Sequence, residues 1–319
     1  MKGIRVFLAL MLPALMATAE QTRDFAKERA ARVRHPDYTL TFQLGPDSTT
    51  YTGTVTLAFE LISADAPLSV DFAGSSVDAV QLNGHAVAGF AYDADQARLT
   101  LPTAALKSGR QELTISYTGL YGTNGLGLHR FVDPADGRTY LYTDFEPQDA
   151  HRAFPCFDQP DLKATFETTV KAPADWVIVT NTLALGSHME EGLRVTRFKR
   201  SKRFSTYLYQ LTAGPYASFH DPDFRYPLGI YCRQSLARFV DADRFFETTR
   251  RGFDFFENYF DYPYPFEKYD QIFCPEFNSG AMENVAAVTW NESDIFRTPP
   301  SQDELLGRDI TLLHEMAHM

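Results

Sequence analysis

Hydrophobic and polar positions alternate along most of the first two thirds of the chain. Between Tyr38 and about Leu211 apolar side chains recur at every second residue, which is the period of a β-strand with one buried face. These runs predict strands at residues 38–44, 55–61, 113–117, 139–143, 163–170, 176–181, 193–198 and 206–211. Such strands predict an all-β domain, sandwich-like or saddle-shaped, whose sheets are half exposed to solvent.

The composition changes after Gly214-Pro215, and helical periodicity follows from about residue 241. A short strand is predicted at residues 228–232, followed by a helix at 241–260. Core packing is the favoured interpretation of the aromatic face of this helix, which contains Phe245, Thr249, Phe253, Phe256 and Phe260. Two more predicted strands, 271–275 and 286–290, flank a loop at 276–284. The chain is therefore predicted to be an α+β multidomain protein, with a β domain at residues 20–220 and a second domain at 221–319.

Another helix is predicted over residues 303–319. Pro299-Pro300 ends the preceding segment, Ser301 is a suitable N-cap, and Glu304 completes an S-x-x-E capping box. The first turn of this helix is therefore well specified by local sequence.

An H-E-x-x-H motif, formed by His314, Glu315 and His318, lies near the end of this helix. Residues four apart fall on one helix face, so both imidazoles can bind one metal ion, for which zinc is expected. Glu315 can then act as the general base toward a water at the metal. A helix with two unrelated histidines is the alternative, and the motif disfavours it.

Composition narrows the possible functions. The 319 residues carry a formal net charge of −11, which argues against nucleic-acid binding because that requires a basic surface. Three widely spaced cysteines, Cys156, Cys232 and Cys274, suggest neither a disulfide framework nor a C-x-x-C metal site. We expect each of them to be a small buried hydrophobe.

Residues 1–19 have the pattern of a signal peptide. Lys2 and Arg5 form a positively charged segment before an apolar stretch at residues 6–15. Ala17-Thr18-Ala19 then fits an A-x-A cleavage site. The apolar stretch is short for a membrane span and is interrupted by proline, so no stable span is expected. The pattern favours an exported protein, periplasmic or secreted, over one with an uncleaved N-terminal anchor.

The loop before the histidine-bearing helix carries a candidate ligand for a cationic group. Residues 280–284 read G-A-M-E-N, in which glycine allows close approach of backbone to a ligand and Glu283 offers a carboxylate. Alone this signal is weak, since a glutamate in such a turn is usually solvated. Its pairing with H-E-x-x-H on the next helix makes it specific.

The sequence resembles the M1 family of zinc aminopeptidases, the aminopeptidase N type. The matching segments are residues 280–284, residues 314–318, and residues 142–166, which read Y-T-D-F-E-P-Q-D-A-H-R-A-F-P-C-F-D-Q-P-D-L-K-A-T-F. The resemblance implies an N-terminal β-saddle domain followed by the first part of a thermolysin-like catalytic domain. It also implies an enzyme that hydrolyses the N-terminal peptide bond of peptides with a free amino terminus.

The same resemblance implies roles for single residues. His314 and His318 would bind one zinc ion per chain, with Glu315 as the general base. Glu283 would anchor the α-amine of the substrate, and Glu146, from the β domain, would be its second anchor.

The other loop residues are implied to contact the substrate. Gly280 and Ala281 would hold its backbone through main-chain groups, and Met282 and Asn284 would belong to the same subsite, with Met282 beside the first side chain. The third zinc ligand of the family, a glutamate on the following helix, and its oxyanion-supporting tyrosine would lie beyond Met319. We therefore expect the sequence to be a fragment that binds zinc weakly and hydrolyses little in isolation.

Asp144 departs from the family pattern, because many members have glutamine there. One interpretation is an additional carboxylate near the amine site that sharpens preference for cationic termini. The other is a residue that only serves the end of a strand.

Two other functions stay open. A zinc endopeptidase of the thermolysin type would explain the histidine helix but not the pairing of Glu146 with Glu283. A non-catalytic interaction protein on the aminopeptidase scaffold is disfavoured by the intact H-E-x-x-H motif.

Overall fold

The computed structural model describes residues 22–319. Their strands form two groups of sheets. The predicted signal peptide at residues 1–19 lies outside the described residues. The described helices are α1 (Arg23–Arg32), α2 (Ala242–Phe260) and α3 (Gln302–Ala317). The described strands are β1 (Val33–Gln43), β2 (Thr50–Leu61), β3 (Leu68–Asp71), β4 (Ser76–Leu82), β5 (His85–Ala86), β6 (Ala91–Asp93), β7 (Arg98–Leu101), β8 (Gly109–Leu120), β9 (Gly127–Val132), β10 (Thr139–Asp144), β11 (Thr165–Pro173), β12 (Val177–Thr180), β13 (Ala184–Glu190), β14 (Leu193–Phe198), β15 (Leu211–Gly214), β16 (Ala217–Asp221), β17 (Leu228–Cys232), β18 (Tyr269–Cys274), β19 (Ala281–Met282) and β20 (Ala287–Asn291).

The first group is the predicted all-β domain. Its large sheet has the order β13-β14-β11-β1-β2-β8-β4-β5, and two smaller sheets have the orders β12-β15-β10-β9 and β3-β7-β6. The alternation in the sequence becomes alternating burial: Tyr38, Leu40 and Phe42 of β1 enter the core while their neighbours face outward. Together with the mixed second group, this confirms the predicted α+β class with an N-terminal β domain.

The second group is a mixed sheet in the order β16-β17-β18-β20-β19. Strands β17, β18 and β20 are parallel, and the edge strands β16 and β19 are antiparallel to their neighbours. β15 ends at Gly214, whereas β16 begins at Ala217 and already pairs with β17. The predicted boundary at residue 220 therefore lies near the end of the first strand of this sheet.

Helices α2 and α3 pack closely against each other and against this sheet. A side chain at Gly252 of α2 would come within 2.7 Å of the Met316 sulfur of α3, so glycine permits this close crossing. Arg308 of α3 places its guanidinium 4.2 Å from the centre of the Phe245 ring. These contacts fix the position of α3 and of the histidines near its C-terminus.

The aromatic face of α2 packs as predicted only along its first part. Phe245, Thr249 and Phe253 are buried, which confirms core packing there, and Phe256 is half-buried. Phe260, in contrast, is 56% exposed at the end of the helix. The prediction was wrong for Phe260, whose side chain lines an open apolar pocket with Phe256 and Met316 instead of entering the core.

One predicted strand is absent from the described structure. Residues 206–211 form a 3₁₀ turn at Thr206–Leu208 followed by β15. The Thr206 hydroxyl donates to Asp158 at 2.8 Å, which holds the turn from a distant part of the chain. The expectation that the three cysteines are free and buried is confirmed, and no described helix has the length and apolar character needed to cross a membrane.

Candidate active site

The two motif histidines project from the last turns of α3 toward the same side. The helix begins with Ser301 as N-cap, and the reciprocal capping box with Glu304 that the sequence predicts is present. The Nε2 atoms of His314 and His318 lie 3.3 Å apart, and both side chains are exposed. Both imidazoles are therefore available to a ligand in front of the helix.

The separation of these nitrogens fits a single bound metal ion. Zinc binds imidazole nitrogen at about 2.0–2.1 Å, so two ligands on a tetrahedral ion are roughly 3.4 Å apart. The His314–His318 distance is close to that value. The histidines present are therefore compatible with zinc in spacing and in chemistry.

Glu315 is buried beside the histidines. Glu315 is 5% exposed, and its Oε2 atom has no hydrogen-bond partner within the described residues. Burial raises the pKa of Glu315 to about 7, and the negative charges of Glu283 and Glu146 add to the shift. A carboxyl with this pKa can both accept and release a proton near neutrality.

Glu283 reaches the same place from the loop that follows β19. Ligand atoms of Glu283, Glu315 and His318 all lie within 4.8 Å of one another. The pairing of β19 with β20, in which Met282 is opposite Thr289, brings this loop to the edge of the sheet next to α3. The two motifs that are separate in sequence are thus adjacent in space.

Glu146 enters the site from the other domain. It follows the buried Phe145 just after β10 and is itself exposed. Its charge, together with that of Glu283, acts on Glu315 and on Tyr207. The two carboxylates implied to hold an amine therefore act on the same carboxyl, that of Glu315, from two domains.

Tyr207 was missed by the sequence reasoning. It lies half-buried in the 3₁₀ turn Thr206–Leu208, and burial, followed by the charges of Glu283 and Glu146, raises its pKa. A phenol beside two carboxylates is a candidate hydrogen-bond donor to a bound ligand. No local pattern marked it, because this segment was assigned to a strand.

The other residues of the 280–284 loop differ in their exposure. Gly280 is exposed with open space around its Cα, and Ala281 is half-buried. Met282 is 3% exposed and packs among aromatic side chains that include Tyr142. Asn284 is 1% exposed, and its amide is engaged by Thr289 and by a backbone carbonyl, so its contacts favour a role in positioning the loop.

Asp144 lies near this site but is buried. Burial raises its pKa to about 7; a backbone hydrogen bond from Glu146 opposes the shift, whereas the charges of Asp149 and Glu146 add to it. It terminates β10 opposite Gly127 of β9.

Together these groups place two imidazoles close to three carboxylates, those of Glu146, Glu283 and Glu315. Such a set attracts a divalent cation to the nitrogens and an ammonium group to the carboxylates. Glu315, close to both His318 and Glu283, is the carboxyl whose environment favours proton transfer.

Known proteins resemble this chain along most of its length. Residues 35–208 match the peptidase M1 N-terminal domain, and residues 244–319 match the peptidase family M1 domain. Aminopeptidase N of Streptomyces lividans is 43% identical over 304 residues, which cover 93% of this chain and 35% of the relative. Aminopeptidase M1 of Arabidopsis thaliana is 29% identical over 294 residues, covering 86% of this chain and 33% of the relative.

A mammalian relative matches in the same way. Aminopeptidase N of Canis lupus familiaris is 34% identical over 222 residues, covering 66% of this chain and 23% of the relative. The chain spans about a third of the length of the first curated relatives it matches. Since the first family domain covers the β domain and the second contains both the 280–284 loop and the histidine helix, this chain belongs to the M1 peptidase family.

Proposed function

We propose that the full-length protein is a zinc aminopeptidase that removes N-terminal residues from peptides. The observation that carries the proposal is the convergence of Glu283, Glu315 and His318 within 4.8 Å, in front of a histidine pair with the spacing of metal ligands. A zinc endopeptidase uses two histidines, a general base and one further glutamate as metal ligand, but it has no use for a pair of carboxylates, Glu283 and Glu146, that recognise a free amine. The names of the relatives, which are aminopeptidases, support the same conclusion.

His314 and His318 would hold the zinc ion through Nε2, and a glutamate on a following helix would complete the protein ligands by the family resemblance. When bound, zinc supplies a Lewis acid for the scissile carbonyl and lowers the pKa of water at the site to about 7. Glu315 would accept a proton from the attacking water on its buried carboxylate and would later return it to the leaving amine. Its raised pKa suits both steps.

Glu283 and Glu146 would recognise the substrate by its terminal ammonium. Carboxylates accept charge-assisted hydrogen bonds from an ammonium group, and a peptide without a free terminus cannot supply them. The distance between these carboxylates and the histidines then selects the first peptide bond. Gly280 and Ala281, which are exposed and half-buried, would hold the substrate backbone, and the buried Met282 would line the pocket for its first side chain.

The test is a comparison of Glu283→Ala with wild type in the full-length protein. We expect kcat/KM for an amino-acid anilide to fall by about 10- to 100-fold, since hydrogen bonds to a charged group are lost. Zinc content should stay unchanged. Glu112→Ala, at an exposed glutamate of β8, is the matched control.

Three results would contradict this proposal. Equal loss of zinc and activity in Glu283→Ala would make Glu283 a metal ligand. Equal cleavage of N-acetylated and free peptides by the wild type would favour an endopeptidase. A full-length protein without zinc would favour the non-catalytic interaction protein.

We also propose that the protein is exported, to the periplasm or outside the cell. The support is the charged, apolar and A-x-A succession of residues 1–19. Sequencing the amino terminus of the protein from its native host should give Glu20 as the first residue. A mature protein that retains Met1 would show that the segment is not removed.

A further inference from the structure

A row of buried polar side chains connects the two segments that carry Glu146 and Glu283. The Thr143 hydroxyl donates to Oε1 of Gln210 at 2.5 Å, and Nε2 of Gln210 donates to the Thr289 hydroxyl at 2.6 Å. The Thr289 hydroxyl donates in turn to Oδ1 of Asn284 at 2.9 Å. Thr143 lies three residues before Glu146, and Asn284 directly follows Glu283. The row thus begins beside one proposed amine anchor and ends beside the other.

Every hydrogen bond in this row runs in one direction. Thr143 accepts from the backbone N–H of Leu211 at 2.9 Å before donating to Gln210, and Thr289 accepts from Gln210 before donating to Asn284. The exposed fractions of Thr143, Gln210, Thr289 and Asn284 are 1%, 0%, 0% and 1%. At such burial each of these side chains depends on its neighbours in the row for its hydrogen bonds, and the loss of one partner leaves the next group unsatisfied.

Gln210 is the central member and is also held by its backbone. Its N–H donates to Oδ1 of Asn181 at 2.8 Å. The amide of Asn181 donates to the carbonyl of Val285 at 2.8 Å, the residue after Asn284. Gln210 therefore connects to the 284–285 turn twice, once through its side chain and once through Asn181. The β domain and the 280–284 loop cannot slide past each other without breaking both connections.

We propose that Gln210 is a positioning residue that sets the separation of Glu146 and Glu283. This inference rests on the function proposed above, because it assumes that the two carboxylates bind one ammonium group. Gln210 does not contact substrate itself; it acts through Thr143 on one side and through Thr289 and Asn284 on the other. Glutamine suits the position because its amide accepts from one hydroxyl and donates to the next.

In Gln210→Met the shape is nearly kept and both side-chain hydrogen bonds are lost. This change loosens the loop that presents Glu283 while leaving the histidines of α3 untouched.

The experiment measures kcat and KM of the full-length protein on an amino-acid anilide, together with zinc content and the midpoint of urea unfolding. We expect Gln210→Met to raise KM, with a loss of kcat/KM on the order of 10- to 100-fold from misplacement of the anchors, at full zinc occupancy. Thr289→Val, which removes a hydroxyl at nearly constant shape, should reproduce this loss, and Thr289→Ser should restore it.

Tyr209→Phe is the matched control. It removes a buried hydrogen bond next to Gln210, between the Tyr209 and Thr168 hydroxyls, that lies wholly inside the β domain. It should lower the unfolding midpoint without raising KM. If Gln210→Met does not fold, the Thr289 pair decides alone.

Equal KM in Thr289→Val and Thr289→Ser, or the same rise of KM in Tyr209→Phe, would overturn the positioning role. A wild-type protein that does not cleave the anilide at all would instead overturn the proposed function. The two failures are therefore distinguishable.

Discussion

The Nε2 atoms of His314 and His318 face each other at 3.3 Å across one turn of α3. This spacing is set by the helix, whose first turn is capped by Ser301 and whose middle is pinned by Arg308 on Phe245. A metal ion that binds both nitrogens therefore requires little rearrangement of the backbone. The preorganised pair makes the zinc proposal directly testable.

His318→Ala should remove zinc from the full-length protein. One of two imidazole ligands is lost, and we expect metal affinity to fall by more than about 100-fold, because even partners outside the ligand set cost 10- to 100-fold. Metal analysis after gel filtration measures this. His85→Ala, at an exposed histidine of β5, is the control and should retain zinc. Full zinc occupancy in His318→Ala would exclude His318 as a ligand.

Glu315→Gln should separate catalysis from metal binding. The neutral amide cannot take a proton, so kcat should fall by about 10²- to 10⁴-fold while zinc content is retained. Stability should not fall, because the change removes a buried negative charge that Glu283 and Glu146 repel. Activity assays with metal analysis and thermal unfolding check both parts. An unchanged kcat would contradict the role of general base.

Local sequence was sufficient for α3 and for the pairing of its motif with the 280–284 loop. The capping box of Ser301 and Glu304 is a short-range signal, and it is present in the structure. Some strand bounds were predictable as well, since β14 and β17 begin and end at the predicted residues. These features depend on neighbours within a few residues, which a single sequence contains.

Features that depend on distant partners were not predictable. The 3₁₀ turn at Thr206–Leu208 looks like a strand by residue type, yet Asp158 holds it as a turn. Tyr207 was missed for this reason. Nor does any pattern show that Gln210 lies between Thr143 and Thr289, because their contact depends on how the two domains pack.

Ser301→Ala should destabilise the protein by about 1 kcal/mol, the usual cost of losing an N-cap. Ser301 accepts from the backbone N–H of Glu304, and the side chain of Glu304 accepts from the backbone N–H of Ser301. Urea unfolding measures the loss. Gln302→Ala, one residue later, is the control and should change stability much less. A Ser301→Ala variant as stable as the wild type would show that the Ser301 side chain does not stabilise the start of α3.

Asp144→Asn should stabilise the protein, and more so at higher pH. The pKa of Asp144 is about 7 in the folded protein against an ordinary value of 3.8, chiefly because the carboxyl is buried. For a raised pKa, the folded state holds the proton more tightly than the unfolded state. The free energy of unfolding of the wild type therefore decreases as the pH rises from about 3.8 to about 7, and the decrease then levels off.

Asparagine does not titrate, so the advantage of Asp144→Asn should grow across that interval and reach on the order of a few kcal/mol above pH 7. Thermal unfolding of both proteins at pH 5 and pH 8 measures the difference. Asp95→Asn, at an exposed aspartate in the turn between β6 and β7, should give the same small effect at both pH values. If Asp144→Asn stabilised the protein equally at pH 5 and pH 8, Asp144 would already be ionised at pH 5 in the folded protein. It would then behave as a solvated carboxylate at the end of β10.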